Sequence, residues 1–134
     1  MFSEKAIIRT QEEYIWTIGW RIRAYEVFDM NHDVFISHAK EDRATAEEMY
    51  QWLEKEGIRC WMAPRDIRAS ANYQEEIIEA IKTAKVMVVI LSSAANDSPF
   101  VPKEVERAVT NRVSVLPFRV EDVPPGKSLE LFLS

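Results

Sequence analysis

Residues 33 to 42 constrain the fold of this chain more than any other stretch. Their first half, Val34 to Ile36, is a run of β-branched and aromatic residues without a polar break. Such a run is typical of a central strand that is buried on both faces of a parallel sheet. The chain then turns polar at once, with Ser37 and His38 followed closely by Asp42. These side chains are therefore predicted to lie at the carboxyl edge of the sheet, where open α/β folds bind their ligands.

From residue 33 onward, strand-like and helix-like segments alternate. Strands are predicted at 34–36, 58–61, 86–91 and 113–118. Helices are predicted at about 42–56, 73–83 and from Pro99 or Pro102 to about 111, the last with an inner face of Val101, Val105, Ala108 and Val109. The stretch 92–98 is predicted to be a polar loop, and the tail from Val120 a Pro-containing loop before residues 129–133. Helices of this length between strands require right-handed crossovers, so the fold class is α/β, a doubly wound parallel sheet.

The first 30 residues form a separate, aromatic-rich extension. One set of its apolar residues has helical spacing: Tyr14, Ile18, Ile22 and Tyr25. Another alternates as one face of a strand would: Tyr14, Trp16, Ile18, Trp20 and Ile22. Helix-forming residues from 3 to 13 favour the helix, but periodicity leaves both structures open.

Composition excludes several classes of protein. A length of 134 residues fits one domain, and a net charge of -5 argues against nucleic acid as a partner. Cys60 is the only cysteine, which favours a reducing compartment, and no apolar run has the length of a membrane span or signal segment. A cytoplasmic location is therefore expected. The three glycines stand at 19, 57 and 126, so the chain has no Gly-rich phosphate-binding loop.

Several motifs after residue 30 together resemble the bacterial type of Toll/interleukin-1 receptor (TIR) domain. The motifs are DVFISH with ED at 33–42, GIRCWMAPRDI at 57–67, VMVVILSS at 86–93, NDSPF at 96–100, KEVERAV at 103–109 and PFR at 117–119. The resemblance covers residues 31–134 and implies a flavodoxin-like sheet with strand order 2-1-3-4. A fifth strand and a closing helix would be expected after Ser134. Their absence indicates either a fragment or, as we favour, that residues 1–30 cover the exposed edge.

The resemblance also implies a function, which is cleavage of NAD by a glycohydrolase or ADP-ribose cyclase in bacterial defence or signalling. By position, Glu104 corresponds to the catalytic glutamate and Phe100 to an aromatic residue usually found as Trp. The segment from Met62 to Asn72 corresponds to the BB loop, through which copies would self-associate. The residues expected to border the NAD site are Ser37, His38, Asp42, Trp61, Arg65 and Asp66. NAD would be the substrate, and neither a cofactor nor a metal is implied.

A single carboxylate suffices for this chemistry. The nicotinamide of NAD is already cationic and leaves neutral, so no general acid needs to protonate it, in contrast to ordinary glycosides. Glu104 would stabilise the positive charge that develops on the ribose. Phe100, four positions earlier, would share a helix face with it and flank the nicotinamide or ribose, as would Trp61.

Plainer interpretations remain open for each residue. Glu104 can be a first-turn helix residue paired with Arg107, and Phe100 a core residue. Arg65 and Asp66 can pair with each other, and His38 can be an ordinary loop histidine. The alternative function is a non-catalytic TIR-TIR assembly module. A phosphoacceptor domain is more remote, because Ser92 stands where its Asp would be needed.

Overall fold

Four parallel strands form a single sheet in the order β2-β1-β3-β4. The chain's computed structural model describes residues 11–23, 31–69 and 72–133. The strands are β1 (Val34–Ser37), β2 (Cys60–Trp61), β3 (Val86–Leu91) and β4 (Ser114–Arg119). Strand β3 pairs with β1 on one side and β4 on the other, and its residues are buried throughout. The predicted fold class and strand order are confirmed.

Six α-helices and one short 3-10 turn connect and cover these strands in the described residues. They are α1 (Gln11–Arg23), the 3-10 turn (Lys40–Asp42), α2 (Arg43–Lys55), α3 (Tyr73–Thr83), α4 (Ser93–Asp97), α5 (Val101–Thr110) and α6 (Lys127–Leu133). Helix α2 is followed by Gly57 at a φ of +81°, a left-handed conformation that favours glycine. Among the residues that the structure describes, no helix has both the length and the apolar character needed to cross a membrane.

The prediction of a polar loop at 92–98 is wrong for its central part. Residues 93–97 form α4, which begins where the Ser92 hydroxyl accepts a hydrogen bond from the Ala95 N–H at 3.0 Å. A helix of five residues is too short to show an apolar period, so the sequence pattern did not reveal it. Residues 127–133 likewise form a helix after the loop that begins at 120.

The sheet separates two helical layers. On its first face, Val34, Ile36 and alternate residues of β3 pack with α1 and α2. On its second face, Phe35 and the other residues of β3 pack with α3, α5 and α6. Because side chains alternate along a strand, Ser37 belongs to the second face together with Phe35.

Helix α1 covers the first face near β3 and β4. Tyr14 and Ile18 are buried there, and the Tyr14 ring meets Phe118 edge-on at 4.9 Å. The Tyr14 hydroxyl also donates a hydrogen bond to the Leu116 carbonyl at 3.5 Å. The helical alternative is therefore correct for residues 11–23, which cover a face of the sheet rather than extend its edge as a strand. The remaining residues of the extension, including Tyr25, lie outside the described residues.

Helix α5 turns most of its predicted inner face toward the sheet. Val101, Val105 and Ala108 are buried, whereas Val109 is 43% exposed and does not belong to the inner face. Pro102 lies in the first turn, where its missing N–H removes no helical hydrogen bond. The inner face follows positions 101, 105 and 108, so residue 104 lies beside the buried stripe and close to the sheet.

Candidate active site

The Glu104 carboxylate lies at the carboxyl end of β1. Its Oε1 accepts a hydrogen bond of 2.7 Å from the hydroxyl of Ser37, the last residue of that strand. Ser37 is only 1% exposed, and Glu104 is partly buried. Within the described residues no ion pair joins Glu104 to Arg107, so the plainer interpretation of a solvated helix pair does not fit.

The surroundings of Glu104 strongly disfavour its charged form. Burial raises the pKa of its carboxyl group from 4.5 to about 7, although the hydrogen bond from Ser37 acts in the opposite direction. Both protonation states are then populated near neutral pH. A carboxyl group with a pKa shifted this far, at the ligand-binding edge of an α/β sheet, is a candidate for catalysis.

We expect the Ser37→Ala variant to raise the pKa of Glu104 further, by about one unit, because it loses a hydrogen bond that favours the carboxylate. A ¹³C NMR titration of the Glu104 side-chain carboxyl measures this directly. Ser93→Ala is the control, since the Ser93 hydroxyl contacts Glu121 instead. An unchanged or lower midpoint in Ser37→Ala would mean that this hydroxyl does not set the ionisation of Glu104.

Asp42 joins two loops at the same edge of the sheet. It ends the 3-10 turn that follows β1, and its carboxylate accepts a short hydrogen bond from the hydroxyl of Ser92. Ser92 is fully buried and directly follows β3. Asp42 therefore holds the loops after β1 and β3 together. Sequence reasoning missed the contribution of Ser92, although its position directly after the most strongly predicted strand placed it at this edge.

His38 is held apart from Glu104 by the alternation of the strand. The charged groups that act electrostatically on the pKa of its imidazole are Asp42, Arg43 and Glu47, which lie in or next to α2. Burial is the largest influence and lowers the pKa of His38, so the ring is neutral at pH 7. Its Nδ1 atom is buried and has no hydrogen-bond partner.

Trp61 is partly buried and packs against the core of the second face. Its ring stacks on Phe35 with 5.3 Å between ring centres, and it lies tilted 6.3 Å from His32. The register pairs Trp61 with Phe35, two residues before Ser37. Trp61 thus belongs to the same sheet face as the Ser37–Glu104 pair, and no ring contact or hydrogen bond of the described residues joins it to Glu104.

Arg65 and Asp66 are anchored to α2, in the described part of the segment from Met62 to Asn72. The Arg65 guanidinium lies 4.3 Å above the centre of the Tyr50 ring. Asp66 accepts hydrogen bonds from the Tyr50 hydroxyl at 3.2 Å and from the Met62 N–H at 2.9 Å. They do not pair with each other, and no hydrogen bond or ion pair of the described residues links them to Glu104. The loop residues 70 and 71 lie outside the described residues.

Phe100 is exposed one helical turn before Glu104. Its side chain is 68% exposed, so its interpretation as a core residue is wrong. Its carbonyl accepts the Glu104 N–H at 3.0 Å, which fixes the spacing of the two residues. The described residues contain no group of three or more His, Cys, Asp or Glu side chains placed to hold a metal ion.

These features define a class of protein, a doubly wound α/β domain with a partly buried glutamate beside the carboxyl end of its first strand. A family model described as TIR domain matches residues 34–133. The chain therefore belongs to the TIR domain family.

One curated relative and several solved structures resemble the chain. A probable 2' cyclic ADP-D-ribose synthase, BdTIR of Brachypodium distachyon, is 28% identical over 103 residues, which is 75% of this chain. The chain spans about half of that relative, 46% of its length. The TIR domain of the Toll-related receptor TRR-2 from Hydra magnipapillata has a TM-score of 0.63 at 24% identity, covering 75% of this chain and 79% of that one. The TIR domains of the activated Roq1 resistosome have a TM-score of 0.60 at 22% identity, covering 65% of this chain and 56% of that one. These structural likenesses show the fold.

Proposed function

We propose that this TIR domain cleaves the bond between nicotinamide and ribose in NAD, as a glycohydrolase or an ADP-ribose cyclase. The observation that carries the proposal is the partly buried Glu104 carboxylate, which is bound to Ser37 and has a pKa of about 7. The Brachypodium relative, a probable 2' cyclic ADP-D-ribose synthase, supports the same reaction class.

In this mechanism Glu104 lies beside the ribose that carries nicotinamide. As the bond to the neutral leaving nicotinamide lengthens, positive charge develops on the ribose, and the carboxylate stabilises it. Water then attacks the ribose carbon that nicotinamide has left and releases a proton to solvent, which gives ADP-ribose. In the cyclase reaction a nucleophilic group of the same ADP-ribose attacks that carbon instead and releases its proton, which gives a cyclic product. Ser37 acts as a positioning residue, because its hydroxyl fixes the carboxylate and favours its charged form.

The other residues of the site have supporting roles in the proposal. Exposed Phe100 flanks the nicotinamide or ribose, and Trp61 lines the sheet face behind it. Asp42 holds the loops after β1 and β3 together beside the site through its bond to Ser92. His38, Arg65 and Asp66 stay as proposed border residues, which would reach the ligand only in an assembly.

Self-association through the BB loop, Met62 to Asn72, would complete the site. The exposure of Phe100 supports this, because a partner surface would bury it and exclude water from the reacting bond. Assembly is also the state named for the activated Roq1 resistosome. A setting in bacterial defence or signalling is proposed from the motifs alone.

The test is incubation of the concentrated native chain with NAD and chromatographic separation of nicotinamide, ADP-ribose and cyclic products. We expect kcat/KM to rise with pH and to level off above pH 8, with a midpoint at about pH 7, because the reaction uses the charged form of Glu104. The cationic nicotinamide ring of bound NAD favours that charge, so the midpoint in kcat should lie lower. Glu106→Ala changes an exposed carboxylate of the same helix and should keep the native profile. Absence of turnover at every concentration and pH would leave only the assembly function.

That second function is favoured by a separate observation. Trp16 and Trp20 of α1 are 70% and 61% exposed, as expected of a surface that binds another protein. Replacing Glu104 by Ala separates the two functions. Self-association should be unchanged in the variant for a non-catalytic assembly module. Loss of NAD cleavage in the variant would show that the native chain is an enzyme.

A further inference from the structure

The loop between β4 and α6 lies along one side of the short helix α4. At the start of α4, the Glu121 carboxylate accepts hydrogen bonds from the Ser93 N–H at 3.2 Å and from the Ser93 hydroxyl. At its end, the Asn96 amide accepts a hydrogen bond from the Gly126 N–H at 2.7 Å and donates one to the Pro124 carbonyl at 3.0 Å. Ser93 and Asn96 are three positions apart, so they share one side of the helix. The loop therefore holds α4 at two points.

Asn96 and Gly126 fit closely against each other. A Cβ atom at position 126 would lie 3.2 Å from the Cβ and Cγ atoms of Asn96. An ordinary contact between carbon atoms is longer, about 3.5 to 4.0 Å, so alanine at this position would push the Asn96 side chain aside. The neighbouring Ala95 is fully buried, which leaves Asn96 as the residue that fixes the end of α4 to the loop.

The end of α4 leads directly to Phe100. Ser98 ends α4, and its hydroxyl accepts hydrogen bonds from the Phe100 N–H at 3.1 Å and the Val101 N–H at 3.2 Å. The Phe100 side chain is 68% exposed, so packing does little to hold its ring. The direction of the ring is therefore set by the backbone that joins α4 to α5. Buried Val101 anchors this backbone on the side of α5, and the contacts of α4 anchor it on the other.

We propose that Asn96 is a positioning residue for NAD cleavage, which fixes α4 and thereby holds Phe100 beside the nicotinamide or ribose. This role rests on the proposed function, in which Phe100 flanks that part of the substrate. A ring that binds the ground state and the transition state equally well lowers KM and leaves kcat unchanged. The hydrogen bonds of Asn96 reach neither Ser37 nor Glu104. Loss of Asn96 should therefore act on KM.

The first test compares the steady-state kinetics of NAD cleavage in Asn96→Ala and in the native chain. We expect KM to be about 5- to 10-fold higher, which is equivalent to one lost hydrogen bond, and kcat to stay within about 2-fold. Gly126→Ala displaces the same amide from the other side and should also raise KM. An unchanged KM in both variants, or a fall in kcat with KM unchanged, overturns the inference.

Asn111→Ala is the matched control. The Asn111 amide donates a hydrogen bond of 2.8 Å to the Arg107 carbonyl at the far end of α5. The variant thus loses a comparable bond from side chain to backbone, but one that does not support Phe100, and should keep the native KM. An equal rise of KM in Asn111→Ala would show a general effect on the fold and overturn the inference.

A double-mutant cycle tests whether Asn96 acts through Phe100. Phe100→Ala should raise KM at least as much as Asn96→Ala does. In the Phe100→Ala background, Asn96→Ala should raise KM by less than about 2-fold more, because the ring that it positions is already gone. Full additivity of the two changes, or a native KM in Phe100→Ala, would show that Asn96 does not act through this ring.

Relaxation of ¹⁵N nuclei in the free protein needs no NAD turnover. The order parameter of the Phe100 N–H should fall from about 0.85 to below about 0.6 in Asn96→Ala and keep its native value in Asn111→Ala. A rigid Phe100 N–H in Asn96→Ala overturns the inference whether or not the chain cleaves NAD. A mobile Phe100 in that variant, together with a native chain that never cleaves NAD, would reject the proposed function alone and leave Asn96 as the residue that fixes Phe100.

Discussion

Glu104→Gln is expected to lower kcat for NAD cleavage at least about 100-fold and, at the same time, to make the folded domain more stable above pH 7. The loss of activity follows because a neutral amide cannot stabilise the positive charge on the ribose in the transition state. The gain in stability follows because the native carboxylate is charged in a desolvated place, whereas the amide is neutral at every pH. The Ser37 hydroxyl can donate to the amide oxygen as it does to the carboxylate.

The stability gain should depend on pH in a defined direction. The pKa of Glu104 is raised from 4.5 to about 7 in the folded chain, so the folded state retains its proton over a range in which the unfolded state has lost it. The contribution of the protonated group to the free energy of unfolding is complete below pH 4.5 and lost as the pH rises through 7. The shift corresponds to about 3 kcal/mol as an upper limit. Glu104→Gln should therefore equal the native chain in stability near pH 4.5 and exceed it by about 2 kcal/mol at pH 8.

Urea unfolding at pH 4.5 and pH 8 measures the stability difference, and nicotinamide release measures the activity. Glu106→Gln is the control, because Glu106 is exposed on the same helix and should change neither quantity. An equal stability difference at both pH values would show that Glu104 is not held in a desolvated state. Native activity in Glu104→Gln would remove the carboxylate from the mechanism while leaving the fold unaffected.

The sequence predicted which elements meet at the site better than it predicted the contacts they make. Val34–Ser37 and Val86–Leu91 are buried strands whose ends could be read from uninterrupted apolar runs. The hydrogen bond from Ser37 to Glu104 spans 67 positions, and that from Ser92 to Asp42 spans 50. Such contacts depend on how helices tilt on the sheet, which no local pattern encodes.

Aromatic residues made the apolar pattern of the sequence ambiguous in two places. In α1, a strand would have placed Trp16 and Trp20 on the same face as Tyr14, whereas the helix separates the buried Tyr14 from the exposed indoles. Phe100 was compatible with a core position, but it precedes the first buried residue of α5 and is left outside. Apolar periodicity identifies a buried face only when large apolar residues avoid the exposed one, and a chain with exposed Trp16, Trp20 and Phe100 does not meet that condition.

A cluster of charged residues lies at the amino-terminal end of the sheet. The candidate site lies at the other end of the same strands. Asp33, just before β1, accepts hydrogen bonds from the Arg59 N–H at 3.0 Å and the Arg59 guanidinium at 2.9 Å, and its carboxylate lies 3.2 Å from Lys85 Nζ. Its carbonyl also accepts the N–H groups of Lys85 and Val86. One buried aspartate thus holds together the starts of β1 and β3 and the segment that leads into β2.

We expect Asp33→Ala to lower the free energy of unfolding by about 3 to 5 kcal/mol, because Lys85 is 8% exposed and would lose the carboxylate that compensates its buried charge. Burial alone would raise the pKa of Asp33, but hydrogen bonds from Arg59 and Lys85 outweigh it and hold that pKa below 3.8. The stabilisation is therefore present above pH 3.8 and lost as the pH falls through the lower pKa of the folded state.

Urea unfolding at pH 7 and at pH 3 measures both parts of the prediction. Asp122→Ala is the control, because the Asp122 side chain is 84% exposed in its pair with Arg119 and should contribute less than about 0.5 kcal/mol. A loss in Asp33→Ala no larger than in Asp122→Ala would show that the sheet does not depend on this buried charge pair.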